Sequence, residues 1–137
     1  MRKNFNFVLI LLFVACVFSS CVKKSDPPTP QSTIIGKYMT TSVTRESGGV
    51  TTSIIRSCDL DDITEFNGSG QVIADNGNLK CTATSPATET FPYTIQSDGK
   101  NMTIDGKLYF IELLSSTELK IALIGTTSTV RLTFTRR

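Results

Sequence analysis

The chain contains no histidine among its 137 residues. That absence removes the general base of Ser-His-Asp and Cys-His catalysis and the commonest nitrogen ligand of zinc. No glycine-rich loop precedes a helical pattern, so no phosphate cradle is present. No stretch has a helical period, and no block of like charge occurs. The whole chain carries 14 basic and 12 acidic residues. Arg2 and Lys3 are the only charges before residue 21, so removing residues 1–20 leaves twelve of each sign and a net charge of zero. Without a basic patch or basic–aromatic interleaving, nucleic acid is not an expected partner. No enzyme, cofactor or metal site is expected.

What is present begins at the first residue. Arg2 and Lys3 precede an apolar run from Phe5 to Phe18, broken only by Asn6 and followed by Ser19, Ser20 and Cys21. A positive start, an apolar stretch and small residues before a cut describe a secretory signal peptide over residues 1–20. The run falls short of the roughly 18 residues of a membrane-spanning helix. Cysteine directly after small residues resembles the lipobox of bacterial lipoproteins, although Phe18 stands where leucine is usual. That resemblance implies that Cys21 becomes the acylated N-terminus and holds the protein on a membrane through its acyl chains. Cys16, after Phe13-Val14-Ala15, is a rival site. Cys21 is preferred because polar linker begins immediately after it. Residues 21–32, with three of the five prolines at 27, 28 and 30, read as a stiff extended tether.

Residues 33–137 have the length of one small domain. With Cys16 removed and Cys21 acylated, Cys58 and Cys81 remain. In an exported protein such a pair points to a disulfide, and two free buried thiols are the alternative.

The dominant pattern has period two. Phe91, Tyr93 and Ile95 alternate with polar residues, as do Met102 with Ile104, Leu119 with Ile121 and Leu123, and Val130 with Leu132 and Phe134. These are half-buried strands. Strands are predicted near 34–45, 50–57, 62–67, 70–75, 89–96, 100–105, 107–114, 117–124 and 128–135. Asp105-Gly106 is a two-residue hairpin signal, and Pro92 predicts an edge or a bulge. Consecutive hairpins make an all-β, antiparallel, up-and-down meander of about eight strands. Closure removes exposed edges, so a small barrel is favoured over a sandwich.

Several residues carry a family resemblance. They are Ile35-Gly36-Lys37-Tyr38, Cys58-Asp59-Leu60-Asp61-Asp62, Phe66-Asn67-Gly68-Ser69-Gly70, Cys81, Phe91-Tyr93-Ile95 and Met102-Thr103-Ile104-Asp105-Gly106. Over about 33–135 the chain resembles the lipocalin-like domain of Gram-negative bacterial lipoproteins. Tyr38 stands where that family usually has tryptophan, which this chain lacks altogether. The resemblance implies a small antiparallel barrel, a lipid anchor in the outer membrane on its periplasmic or surface face, and no common activity. In lipocalins a basic side chain often stacks on that first aromatic. Arg136, in phase with Val130, Leu132 and Phe134, is placed to do so over Tyr38; a solvated terminal arginine is the alternative.

Tyr38, Phe66, Phe91, Tyr93, Met102, Phe110, Leu132 and Phe134 are candidates to line a pocket for a small apolar ligand. An eight-stranded barrel is wide enough for one such ligand or for its own side chains, and bulky residues on short strands favour a filled interior. Glu112, between Ile111 and Leu113, points either inward, with a raised pKa and a ligand role, or outward. Asp59, Asp61, Asp62 and Glu65 are an acidic cluster whose spacing is not that of a calcium loop, and they read as a solvated loop beside the disulfide with one of them pairing Arg56. The expected function is therefore a monomeric, lipid-anchored binding module. The alternative is a filled barrel that contacts an envelope protein or glycan.

Overall fold

A computed structural model describes residues 27–137. The expected signal peptide, Cys21 and the first part of the expected tether lie outside the described residues. A short helix, α1 (Pro30–Ile34), leads into nine strands: β1 (Gly36–Ser47), β2 (Val50–Ser53), β3 (Ile63–Phe66), β4 (Gln71–Asp75), β5 (Thr88–Ile95), β6 (Asn101–Ile104), β7 (Lys107–Leu114), β8 (Glu118–Ile124) and β9 (Thr129–Arg136). They form one antiparallel sheet in the order β2-β1-β3-β4-β5-β6-β7-β8-β9, and β1 also pairs with β9. That last pairing closes eight strands into an up-and-down barrel and leaves β2 as an extra strand beside β1.

The closure depends on the length of β1. It pairs with β9 from Tyr38 to Glu46, with β3 over Gly36–Met39 and with β2 over Thr44–Ser47. A bulge between Thr40 and Ser42 shifts its register against β9. An extra residue bends and twists a strand, which a small barrel requires. After Ser53 the chain leaves the β1–β2 hairpin, so the strand expected over 50–57 ends early and a 3₁₀ turn, Ser57–Asp59, follows. Asp105 and Gly106 both take positive φ, 49° and 74°, and make the two-residue turn from β6 to β7.

Two local expectations are corrected. Pro92 is neither at an edge nor at a bulge, because β5 has β4 on one side and β6 on the other. Its carbonyl accepts from Asp105 N–H at 3.0 Å, just beyond the end of β6. Its missing donor therefore faces the turn, where no ladder bond is lost. The extended tether expected through Ser32 gives way to α1 at Pro30. Thr29 caps this helix by accepting from Ser32 N–H, and Pro30 stands in the first turn, where its lack of N–H costs nothing.

One end of the barrel is filled. Tyr38, Phe66 and Tyr93 meet edge to face, with centroids 5.8 and 5.1 Å apart. Met102, Leu119, Ile121, Val72 and Phe134 complete the buried core, and Ile34 of α1 is inserted below it with no exposed surface. The Tyr38 hydroxyl donates to the Ile34 carbonyl at 2.9 Å, and Gln31 donates to the Tyr93 hydroxyl at 3.1 Å. Arg136 seals this end. Its guanidinium lies 5.4 Å from the centre of the Tyr38 ring and donates to the carbonyls of Thr33, at 3.0 Å, and Ile35. The carbonyls of α1 without helical partners thus receive a cation.

This geometry predicts an energetic coupling. In urea unfolding, Tyr38→Ala and Arg136→Ala combined should lose less stability than the sum of the single losses, by about 0.5–2 kcal/mol, the range of a cation–π contact. Strict additivity would reject the contact.

Candidate functional site

The opposite end of the barrel is built differently. The turn Ser57–Asp59 is joined to the loop between β4 and β5 by the disulfide Cys58–Cys81, with Cα atoms 5.2 Å apart. Asp59 accepts from the Arg56 backbone N–H at 2.8 Å and from its guanidinium at 2.7 and 3.1 Å. Two residues on, Asp61 accepts from Asn78 and Leu79 N–H at 2.7 and 3.0 Å, fixing the β4–β5 loop a second time. The sequence thus folds a polar rim over the barrel mouth from two loops held by one covalent bond and two carboxylates.

Beneath that rim lies a cleft of about 360 Å³ lined by Thr40, Val43, Ile54, Leu132, Arg56, Asp59 and Asp62. The bulge in β1 positions its floor. Thr40 faces Phe134 and Val43 faces Leu132 across the β1–β9 seam, so both β1 residues share the inward side despite their odd spacing. A smaller hollow of about 160 Å³ adjoins it, sharing Arg56, Asp59 and Asp62 and reaching Cys81 and Glu89.

The electrostatics of the cleft are uneven. The hydrogen bond from Arg56, aided by its charge, holds the Asp59 carboxyl below the usual carboxylate range despite some burial. Asp61 is lowered as well, first by the N–H of Leu79. Asp62 goes the other way: burial, then the charges of Asp59, Asp61 and Asp75, push it up against the pull of Arg56. Its Oδ1 is shut off from solvent and has no hydrogen-bond partner among the described residues. Arg56 is already committed to Asp59, so the cleft presents an excess of negative charge at Asp62.

The acidic cluster does not converge on a cation. Asp59 serves Arg56, Asp61 serves backbone N–H groups, and Glu65 points to Lys37 at 3.4 Å. Cys58, Asp59 and Cys81 lie close enough together to suggest a metal. Both sulfurs are in the disulfide, however, so neither is a thiolate ligand.

The structure separates the candidate pocket residues. Tyr38, Phe66, Tyr93, Met102 and Phe134 are packed in the filled end, with Phe91 partly buried against them. Leu132 alone of that set lines the cleft. Phe110 and Glu112 lie outside the barrel. A bulge between Ile111 and Leu113 interrupts β7, where Tyr109, Ile111 and Leu114 pack against the core. Glu112, next to the inward Ile111, lies on the outer side, where Arg131 donates to it at 2.9 Å, and an inward, ligand-holding role is ruled out for it. Thr40, Val43, Ile54, Arg56 and Asp62 were not legible as one site. The acidic run beside Cys58 was the available signal. No family model matches the chain, and no curated protein or solved structure proves similar to it.

Two predictions follow from the rim. Reduction should raise the mass by about two units and cost about 3 kcal/mol of stability, the chain-entropy value for a loop of this length; an unchanged mass would refute the bridge. The two cleft aspartates should respond oppositely to pH. Asp59, with its lowered value, stabilises the fold above the unfolded value of 3.8 and loses that effect as pH falls through its folded value. Asp62, with its raised value, favours the fold below 3.8 and loses that effect as pH rises through its folded value. Thermal melts should therefore show Asp62→Asn stabilised at neutral pH, by roughly 3 °C, and Asp59→Asn destabilised there, with both differences shrinking in acid. A neutral-pH melt of Asp62→Asn below that of the parent chain would contradict this assignment.

Proposed function

We propose that this chain is a lipoprotein of the Gram-negative cell envelope, held in the outer membrane by acyl chains on Cys21, whose barrel binds a small, mainly apolar ligand at its open end. The observation that carries the binding reading is the cleft itself. Its volume of about 360 Å³ falls within the range of small-molecule sites, and Val43, Ile54 and Leu132 give it an apolar wall. The filled interior favours binding at the mouth over binding deep in the barrel.

The polar groups define its orientation. An apolar body resting on Val43, Ile54 and Leu132 would turn any hydrogen-bond donor towards Asp62, which lacks one. Arg56 and Asp59 neutralise each other at the rim and hold the opening in shape. The cleft pairs no nucleophile with a free base, so the reading is retention or transport of a ligand rather than turnover.

Native mass spectrometry of the mature protein, purified from its own envelope, tests this. A reproducible extra mass that disappears on denaturation is expected. In Val43→Trp, whose side chain would occupy the cleft, the liganded fraction should fall at least about tenfold, equivalent to roughly 1.4 kcal/mol of binding. A clean unliganded mass for the parent chain, or an extra mass retained by a folded Val43→Trp, would overturn the cleft assignment.

A further inference from the structure

The outside of the barrel carries one apolar row that the fold does not use. Leu108, Phe110 and Leu113 of β7 are 45, 40 and 37 % exposed, and Ile124 of β8 is 59 % exposed. Phe110 faces Ala122 across the β7–β8 ladder, and that register places Leu108 beside Ile124. The four side chains therefore share one outer face. Among the described residues, the other large exposed apolar side chains lie elsewhere: Val50, Leu60 and Leu79 at the open end and Ile35 after α1.

The charges on this face are already paired. Arg131 of β9 donates to Glu112 of β7 and to Glu46 of β1, and Lys120 meets Glu118 at 3.2 Å. The bulge in β7 makes the arrangement possible, because the extra residue lets Glu112 reach Arg131 while Leu113 still points outward. Contiguous apolar surface flanked by internally neutralised charge is suited to a low-dielectric neighbour.

The position of the chain's N-terminal segment identifies that neighbour. Pro28 and Pro30 line the same hollow as Glu112, Leu113 and Leu114, so the chain reaches the barrel along β7. Six peptide units separate Cys21 from Pro27, and they span at most about 20 Å. An acyl chain on Cys21 would therefore hold Pro27 within that distance of the bilayer, with the Leu113 end of β7 next to the prolines that follow it.

We propose that the β7–β8 face rests on the lipid surface that carries the anchor, with Phe110 and Leu113 in the headgroup–acyl boundary. The inference rests on the lipoprotein reading above. It gives the barrel an orientation: the barrel lies along the membrane, and its cleft opens sideways near the interface. An apolar ligand would then enter from the lipid surface or leave to it without crossing bulk water.

The absence of tryptophan supplies a clean reporter. The mature lipidated protein carrying Phe110→Trp is reconstituted into vesicles of phosphatidylethanolamine and phosphatidylglycerol, with or without brominated acyl chains. Ile73→Trp, on β4 across the barrel, is the control. The Phe110→Trp emission should shift to the blue and lose roughly half its intensity with brominated lipid, as expected for a side chain 5–10 Å into the interface. The Ile73→Trp emission should do neither. Adding Leu108→Asp and Leu113→Asp to Phe110→Trp should abolish the quenching while the protein still floats with the vesicles. A floating protein whose Phe110→Trp emission is unquenched overturns the orientation and leaves the anchor standing. A blue shift without quenching assigns the face to a protein contact and also overturns the proposal. A protein that fails to float refutes the anchor and this inference together.

Discussion

Arg136 draws together the two ends of the folded domain. Its guanidinium covers the ring of Tyr38 on the first strand, donates to carbonyls at the end of α1, and reaches the Ser116 carbonyl in the β7–β8 turn at 3.5 Å. The last strand is thereby fixed to the first, and the β1–β9 seam is the pairing that turns an open meander into a barrel. A closed sheet has no free edge, and an open one of this composition would expose a long threonine-rich edge to other chains. Gly36 shows how close this approach is. Its φ is 150°, and a Cβ there would stand 2.8 Å from the Arg136 guanidinium. The Gly-Lys-Tyr run at the start of β1 is thus a single device, with glycine making room for the cation that tyrosine holds.

From that seal the barrel divides into two halves of opposite character. The sealed half is aromatic, buried and filled. The open half is held by a disulfide and by aspartates that bind backbone N–H groups, and it keeps a cleft. The division follows from the bulge at Thr41. Before it, β1 directs Tyr38 and Thr40 into the core. Beyond it the inward phase moves to Val43, opposite Leu132. The residues beyond the bulge are smaller than the aromatics below, and the space they leave is the cleft.

This division explains what the sequence disclosed and what it withheld. Strand positions were legible because period-two alternation survives wherever pairing is regular, as along Phe91-Tyr93-Ile95 and Val130-Leu132-Phe134. Turns were legible where a conformation demands a residue type, as at Asp105-Gly106. The pairing of Cys58 with Cys81 was legible from the cysteine count once an exported chain was expected. The cleft was not, because alternation cannot foresee a bulge. One inserted residue at Thr41 moves Val43 to the core side, and one at Glu112 moves Leu113 away from it and Leu114 into it. The helix at Pro30 was hidden for a related reason, since prolines that forbid a helix interior are welcome in its first turn. Asp62 was visible only as one member of an acidic run, and nothing in the spacing separates it from Asp59, which binds Arg56, or from Asp61, which accepts from Asn78 and Leu79.

The two bulges also link the inside of the barrel to its outside. In β1 the extra residue creates inner space; in β7 it creates an outer face. Without the β7 bulge, strict alternation would put Leu113 on the inner side with Ile111, and the outer row would be broken there. With it, Glu112 is drawn aside to Arg131 and the apolar row continues to Leu113, next to the prolines that lead towards the N-terminus. Of the three charges in the Glu46–Arg131–Glu112 chain, Arg131 sits between two carboxylates, so the chain holds β1, β9 and β7 together across the outside of β8. A barrel that only needed stability would gain little from ion pairs at this exposure. Their effect here is spatial: they gather the charge of this wall into one line and leave the strip beside it apolar.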